Sequence, residues 1–134
     1  MLQVSSRVDY GLLLLRQLAH CGPDTPPVPL QELAVQLHLP YRYLAQIARQ
    51  LVRAGILESF EGVNGGYRLA KRPAKVTLGS VVAALEPRPR LVRCLRTDHD
   101  CCPRRSQCSM PGWWRQLEAR IRQHLNSVTL AQLP

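Results

Sequence analysis

Four of the five cysteines fall within fifteen residues, in the stretch CLRTDHDCCPRRSQC from Cys94 to Cys108. Thiolates bind zinc and iron, and a tetrahedral ion of either metal accepts four such ligands. Cys94, then Cys101 or Cys102, then Cys108 offer three. With Cys102 in the middle, gaps of seven and five residues separate the thiols. These are wider than the two-residue knuckles of zinc ribbons, although zinc stays compatible with them. No CxxC pair is present for thioredoxin-like exchange. Asp98, His99, Asp100, Arg104 and Arg105 stand between the thiols, so apolar burial does not order this stretch and a bound metal or cluster could. His99 is a candidate further ligand, but a histidine flanked by acids is more often simply solvated.

Nothing elsewhere builds a catalytic centre. There is no nucleophile motif and no glycine signature for phosphate, and the histidines are scattered at positions 20, 38, 99 and 124. An enzyme is not expected. The longest apolar run, Leu12 to Leu15, falls far short of a membrane span, and the start MLQVSSRVDY lacks the basic region and apolar core of a signal peptide. A cytoplasmic protein is expected, with no membrane partner and no small-molecule substrate. In a reducing compartment, clustered thiols point to metal binding or redox sensing rather than to disulfides. The formal net charge is +9, from 18 basic residues, sixteen of them arginine, against 9 acidic ones. Such an excess suits a polyanionic partner.

The elements that would position these groups follow from periodicity and punctuation. Ser5 or Ser6 caps a first helix over roughly residues 6 to 20, with Val8, Leu12, Leu15, Leu18 and Ala19 on one face and Asp9 in its first turn, where the helix dipole favours a carboxylate. The proline-rich run CGPDTPPVP is a stiff connector. A short second helix presents Leu30, Leu33, Ala34 and Leu37. A third, begun by Pro40 and stopped by Gly55, buries Leu44, Ile47, Ala48, Leu51 and Val52. Together they make a helix-turn-helix. Arg42, Tyr43, Gln46, Arg49, Gln50 and Arg53 lie on the remaining faces of the third helix, and no acid occurs between Tyr41 and Gly55. These side chains suit base edges and phosphates in a major groove, though every amphipathic helix has some solvated face.

ILESF, the turn EGVNGG and YRLA predict a two-stranded hairpin, hence a winged helix, with Asn64 and Arg68 as wing contacts to DNA. Lys71, Arg72 and Lys75 add a basic flank. Thr77 caps a fourth helix with Leu78, Val81, Val82 and Leu85 in the core, and the Arg-rich linker EPRPRLVR leads to the cysteines. A last helix begins at Ser109 or at Pro111-Gly112 and carries Trp114, Leu117, Ile121, Leu125 and Val128 at steps of three, four, four and three. Such a stripe calls for a partner, and pairing with a second subunit fits a winged helix that reads a palindrome. The expected fold is mainly α with a small β wing: a winged helix-turn-helix at 1–85, a cysteine-rich loop at 86–110, and a dimerisation helix and tail at 111–134.

Over nearly its whole length the chain resembles the Rrf2 family of bacterial winged-helix regulators, which includes the Isc regulator, the nitric-oxide-sensing repressor and the Suf regulators. The resemblance is carried by VDYGLLLLRQLA, PVPLQELAVQLHLPYRYLAQIARQLVRAGILES, GGYRLA, the three-cysteine loop and VTLAQL. TDHDC-CPRRSQCS is most similar to regulators of the Suf cluster-assembly system. The resemblance implies a homodimer that holds an iron–sulfur cluster, 2Fe-2S in first place and 4Fe-4S in second, and uses its occupancy or redox state to control a double-stranded DNA operator. The implied role is repression of Fe–S assembly genes. Cys94, Cys102 and Cys108 match the cluster ligands. Cys102 is preferred to Cys101 because a cysteine followed by proline, five residues before the last cysteine, resembles the family pattern. Some members take a fourth ligand from a carboxylate near the start of the other subunit's first helix, where Asp9 stands; the histidine used by Isc-type members is Pro111 here.

This chain departs from the family pattern at two places that bear on DNA. Ala45 replaces an acidic residue of the recognition helix, and Glu61 stands where an arginine usually precedes the first wing glycine, so the minor-groove contact is expected to be lost or altered. The competing readings are a zinc-stabilised winged-helix interaction module and a cluster-free thiol redox sensor in the same fold.

Overall fold

Ser5 opens the first helix, α1 (Ser6–Cys21), by accepting the Val8 N–H on its hydroxyl at 3.4 Å. The computed structural model describes residues 4–22, 24–86, 91–95 and 102–134, with Arg93 described by its backbone alone. Along α1, Val8, Leu14, Leu15 and Leu18 are buried, whereas the expected Leu12 and Ala19 are half-buried. Contacts from both α3 and α4 widen the apolar stripe beyond a single row, which brings in Leu14.

Helices α2 (Leu30–Leu37) and α3 (Tyr41–Arg53) flank a tight turn in which His38 takes a left-handed φ of 54°. Pro40, expected as the first residue of this helix, stands instead at the cap position, one residue before it. Its ψ of 128° keeps it extended while its carbonyl accepts the Leu44 N–H at 3.0 Å. The stop at Gly55 is as expected. With φ at 77°, Gly55 donates to the Val52 carbonyl and Ile56 donates to Leu51, both at 3.0 Å. Because the Ile56 N–H is spent on this cap, β1 begins one residue later.

Strands β1 (Leu57–Phe60) and β2 (Gly66–Leu69) pair antiparallel, with Leu57 opposite Leu69 and Phe60 opposite Gly66. The proline-rich connector adds a one-residue bridge, for Val28 and Tyr67 exchange hydrogen bonds at 3.0 and 2.9 Å. Pro27 and Pro29 have no N–H to extend it. Gly66 is required here: its φ is 150°, and a Cβ would overlap the Val28 carbonyl. Gly66→Ala is therefore expected to lose about 2–4 kcal/mol of unfolding free energy in urea titration, from backbone strain and overpacking together.

Thr77 caps α4 (Leu78–Leu85) by accepting the Ser80 N–H at 3.1 Å, as expected. Helix α5 (Met110–Ser127) lies on α4. Val128, expected as the last position of the α5 stripe, is instead extended beyond the helix, and its carbonyl accepts the Leu78 N–H at 2.9 Å. Thr129 bridges Thr77, and the Leu130 N–H donates to Val76 at 2.8 Å. Leu130, 3% exposed, joins the same core as α1 to α4. The tail thus ties α5 to the helix-turn-helix unit. Among the described residues, no helix is long and apolar enough to cross a membrane.

Candidate nucleic-acid interface and thiol site

Leu44, Ile47, Ala48 and Leu51 pin α3 against the core, and α3 touches α1, α2, α4 and β1. The opposite face is open. Arg42, Gln46, Arg49 and Arg53 recur at steps of four, three and four and are all exposed, so they form one basic and amide-bearing stripe about 17 Å long at the usual helical rise. Tyr43 differs from the others: it is half-buried, with its ring edge-on to Tyr10 of α1 at 5.6 Å and 87°. Gln50 also leaves the stripe, because it is half-buried and its Oε1 is closed off with no hydrogen-bond partner among the described residues.

At the wing, Asn64 is exposed in the turn and Val63 at the tip is fully exposed. Arg68 does not point free. Its guanidinium donates to Glu58 at 3.1 Å and lies over the Phe60 ring. Glu61 is exposed beside them. This arrangement was not legible in the sequence, since it depends on the cross-strand register that sets Glu58 opposite Arg68.

The thiols occupy the strap between α4 and α5. Cys94 is exposed in a 3-10 turn (Arg93–Leu95), Cys102 is half-buried and Cys108 is exposed two residues before α5. Cys101, Asp98, His99 and Asp100 lie outside the described residues. Each of Cys94, Cys102 and Cys108 is a free thiol. Among the described residues, no three of His, Cys, Asp and Glu stand close enough together to hold a metal ion. Asp9 is exposed in the first turn of α1, and Cys21 is half-buried at that helix's other end, with its thiol against the Gln17 carbonyl.

A residue that sequence reading passed over anchors the strap. Glu118 is the one buried side chain of α5, and its Oε1 accepts the Leu91 N–H at 2.8 Å. Leu95, 9% exposed, lies in the turn that meets α5. Cys94 is therefore held between two points fixed on α5. The only hint in the sequence was an acid at position 118, next to the apolar Leu117 of the expected seam. The seam residues Trp114, Leu117, Ile121 and Leu125 are all half-buried, and Trp113 is 51% exposed.

A cationic stripe on a helix braced from behind can enter a major groove, with the amide of Gln46 available for a base edge. Gln46→Ala and Arg42→Ala are each expected to cost about 1–3 kcal/mol on a specific site and to relax base preference. Titration of a specific and a scrambled duplex checks this; equal losses on both would remove these residues from direct readout.

Comparison with known proteins agrees with this geometry. Residues 4–134 match the model of the Rrf2 family, described as an iron-dependent transcriptional regulator. The chain is 32% identical over 132 residues to the protein rrf2 of Nitratidesulfovibrio vulgaris, covering 98% of this chain and 87% of that one. Among solved structures, CymR (YrzC), the global cysteine regulator of B. subtilis, superposes with a TM-score of 0.74 at 29% identity, over 98% of this chain and 95% of that chain. IscR of T. potens superposes with a TM-score of 0.71 at 30% identity, over 97% and 84%.

Proposed function

The chain belongs to the Rrf2 family of DNA-binding transcriptional regulators, which are not enzymes, and from that premise we propose that it is a homodimeric cytoplasmic repressor that answers to iron–sulfur status. Fe–S assembly genes are its proposed targets. One observation carries the reading: Cys94, Cys102 and Cys108 are free thiols on the strap between α4 and α5, in a chain matching a family described as iron-dependent.

The donor chemistry fits an iron–sulfur cluster, for three thiolates with a carboxylate would supply the four protein ligands that a 2Fe-2S or 4Fe-4S cluster takes. Among the described residues these donors do not stand together, so ligation would have to gather them. A bound cluster, 2Fe-2S in first place, would supply a tie sensitive to oxidation and iron supply. The chain's own residues do the rest. Glu118 and Leu95 hold the Cys94 segment on α5. Asp9 of one subunit would complete the ligand set of the other. Tyr10, next to Asp9, braces Tyr43 at the start of the recognition helix. A shift of α1 then changes the setting of two α3 helices that must meet half-sites roughly 34 Å apart. The half-buried seam of α5 pairs the subunits.

A second reading, a cluster-free thiol sensor, is favoured by the exposure of Cys94 and Cys108. Anaerobic purification with an ultraviolet-visible spectrum and iron and sulfide assays separates the two. A brown protein with matching iron and sulfide is expected. A colourless protein that resists reconstitution, with DNA binding that changes on thiol oxidation, would replace the cluster with the thiol switch.

A further inference from the structure

Arg68 on β2 stands directly across from Glu58 on β1. Its Nη2 donates to Glu58 Oε2 at 3.1 Å, and its guanidinium carbon lies 4.7 Å from the centre of the Phe60 ring. Glu58 and Phe60 are two residues apart on one strand and so share a face, where carboxylate and ring form two walls around the cation. The side chains of Arg68 and Glu58 are 32% and 48% exposed, so a phosphate can still reach the pair.

We propose that Glu58 is a specificity-determining residue: it competes with DNA phosphate for Arg68 and holds back the sequence-independent part of binding. This rests on the reading that the wing cation touches the DNA backbone. Phosphate contacts by cations supply affinity that is blind to sequence, whereas base contacts distinguish sites. A chain of net charge +9 with the exposed arginines of α3 already carries much of the blind kind. An arginine that must leave a carboxylate and a ring before it meets a phosphate adds little on random DNA. It adds more where α3 has already settled the wing against the duplex. Specificity is a difference of affinities, and a competing internal partner raises it by weakening the wrong complexes more.

Glu58→Gln keeps the side-chain shape and removes only the charge. On a fluorescent random-sequence duplex, titrated by anisotropy, Glu58→Gln should bind about twofold to fivefold more tightly than the parent, the range expected from an exposed ion pair. Its salt dependence should steepen towards one further phosphate contact, a slope change of about 0.9. The gain should vanish when Arg68→Ala is added. A gain that persists in the Arg68→Ala background would mean that Glu58 merely repels phosphate, and would overturn the latch. The latch is also overturned if Glu58→Gln changes nothing while Arg68→Ala still weakens binding, a result that keeps the wing contact. If neither substitution alters affinity or salt slope, the wing does not reach the backbone, and the underlying reading falls with the proposal.

Discussion

Anaerobically purified Cys102→Ala is expected to be colourless and to carry neither iron nor sulfide, and the parent chain to be brown. The expectation is close to all-or-none, because in the proposed ligand set Cys102 is the middle of three thiolates; a variant that keeps its colour would move that role to the neighbouring Cys101. Cys94→Ala and Cys108→Ala should behave alike. Cys21→Ala should keep its colour, since that thiol sits at the C-terminal end of α1 against the Gln17 carbonyl, with the proposed ligand Asp9 at the other end. The loss should be one of cofactor and not of fold: Cys102 is half-buried outside the core cluster, and its replacement should change unfolding free energy by only about 0.5 kcal/mol. Asp9→Ala tests the cross-subunit tie separately. An unchanged spectrum together with unchanged operator affinity would remove Asp9 from the ligand set and leave the thiols standing.

Ile121→Glu is expected to make the chain monomeric in sedimentation velocity and to weaken operator binding by roughly two orders of magnitude or more. In the single chain Trp114, Leu117, Ile121 and Leu125 are half-buried, and in the proposed dimer a second α5 would bury their remaining apolar surface. A carboxylate enclosed in that seam without a partner costs about 3–5 kcal/mol, and every 1.4 kcal/mol is about tenfold in an equilibrium. Operator affinity falls with it because each subunit alone offers one α3 to a two-part site. Gln123→Glu, a change on an exposed position of the same helix, is the control and should remain dimeric. A dimer that survives Ile121→Glu at micromolar concentration would place the subunit contact elsewhere.

Much of the architecture was legible because its signals are local. Ser5 and Thr77 cap their helices through hydroxyls three residues from the amides they accept, and Gly55 ends α3 with the left-handed turn only glycine adopts without strain. The stripe of Arg42, Gln46, Arg49 and Arg53 follows from helical periodicity alone. The misreadings share one cause. Gln50 was grouped with the DNA face by spacing, yet its amide oxygen is enclosed; Val128 was counted on the α5 stripe, yet it pairs with Leu78. Periodicity says which residues share a face and not where a neighbour will lie or where the helix will be stopped by a distant strand.

The helix-turn-helix, the wing, the cationic face of α3 and the four clustered cysteines were all readable along the chain, because each rests on residues near one another in it. Other contacts emerge only once the chain has folded. Leu130 returns to the core over some fifty residues from its partner Val76. Glu118 captures the Leu91 amide across the strap, and the wing register hands Arg68 to Glu58. These contacts join groups far apart in the chain or on facing strands, and a buried carboxylate or an opposed charge pair has its meaning only once packing has removed water from one and fixed the distance of the other.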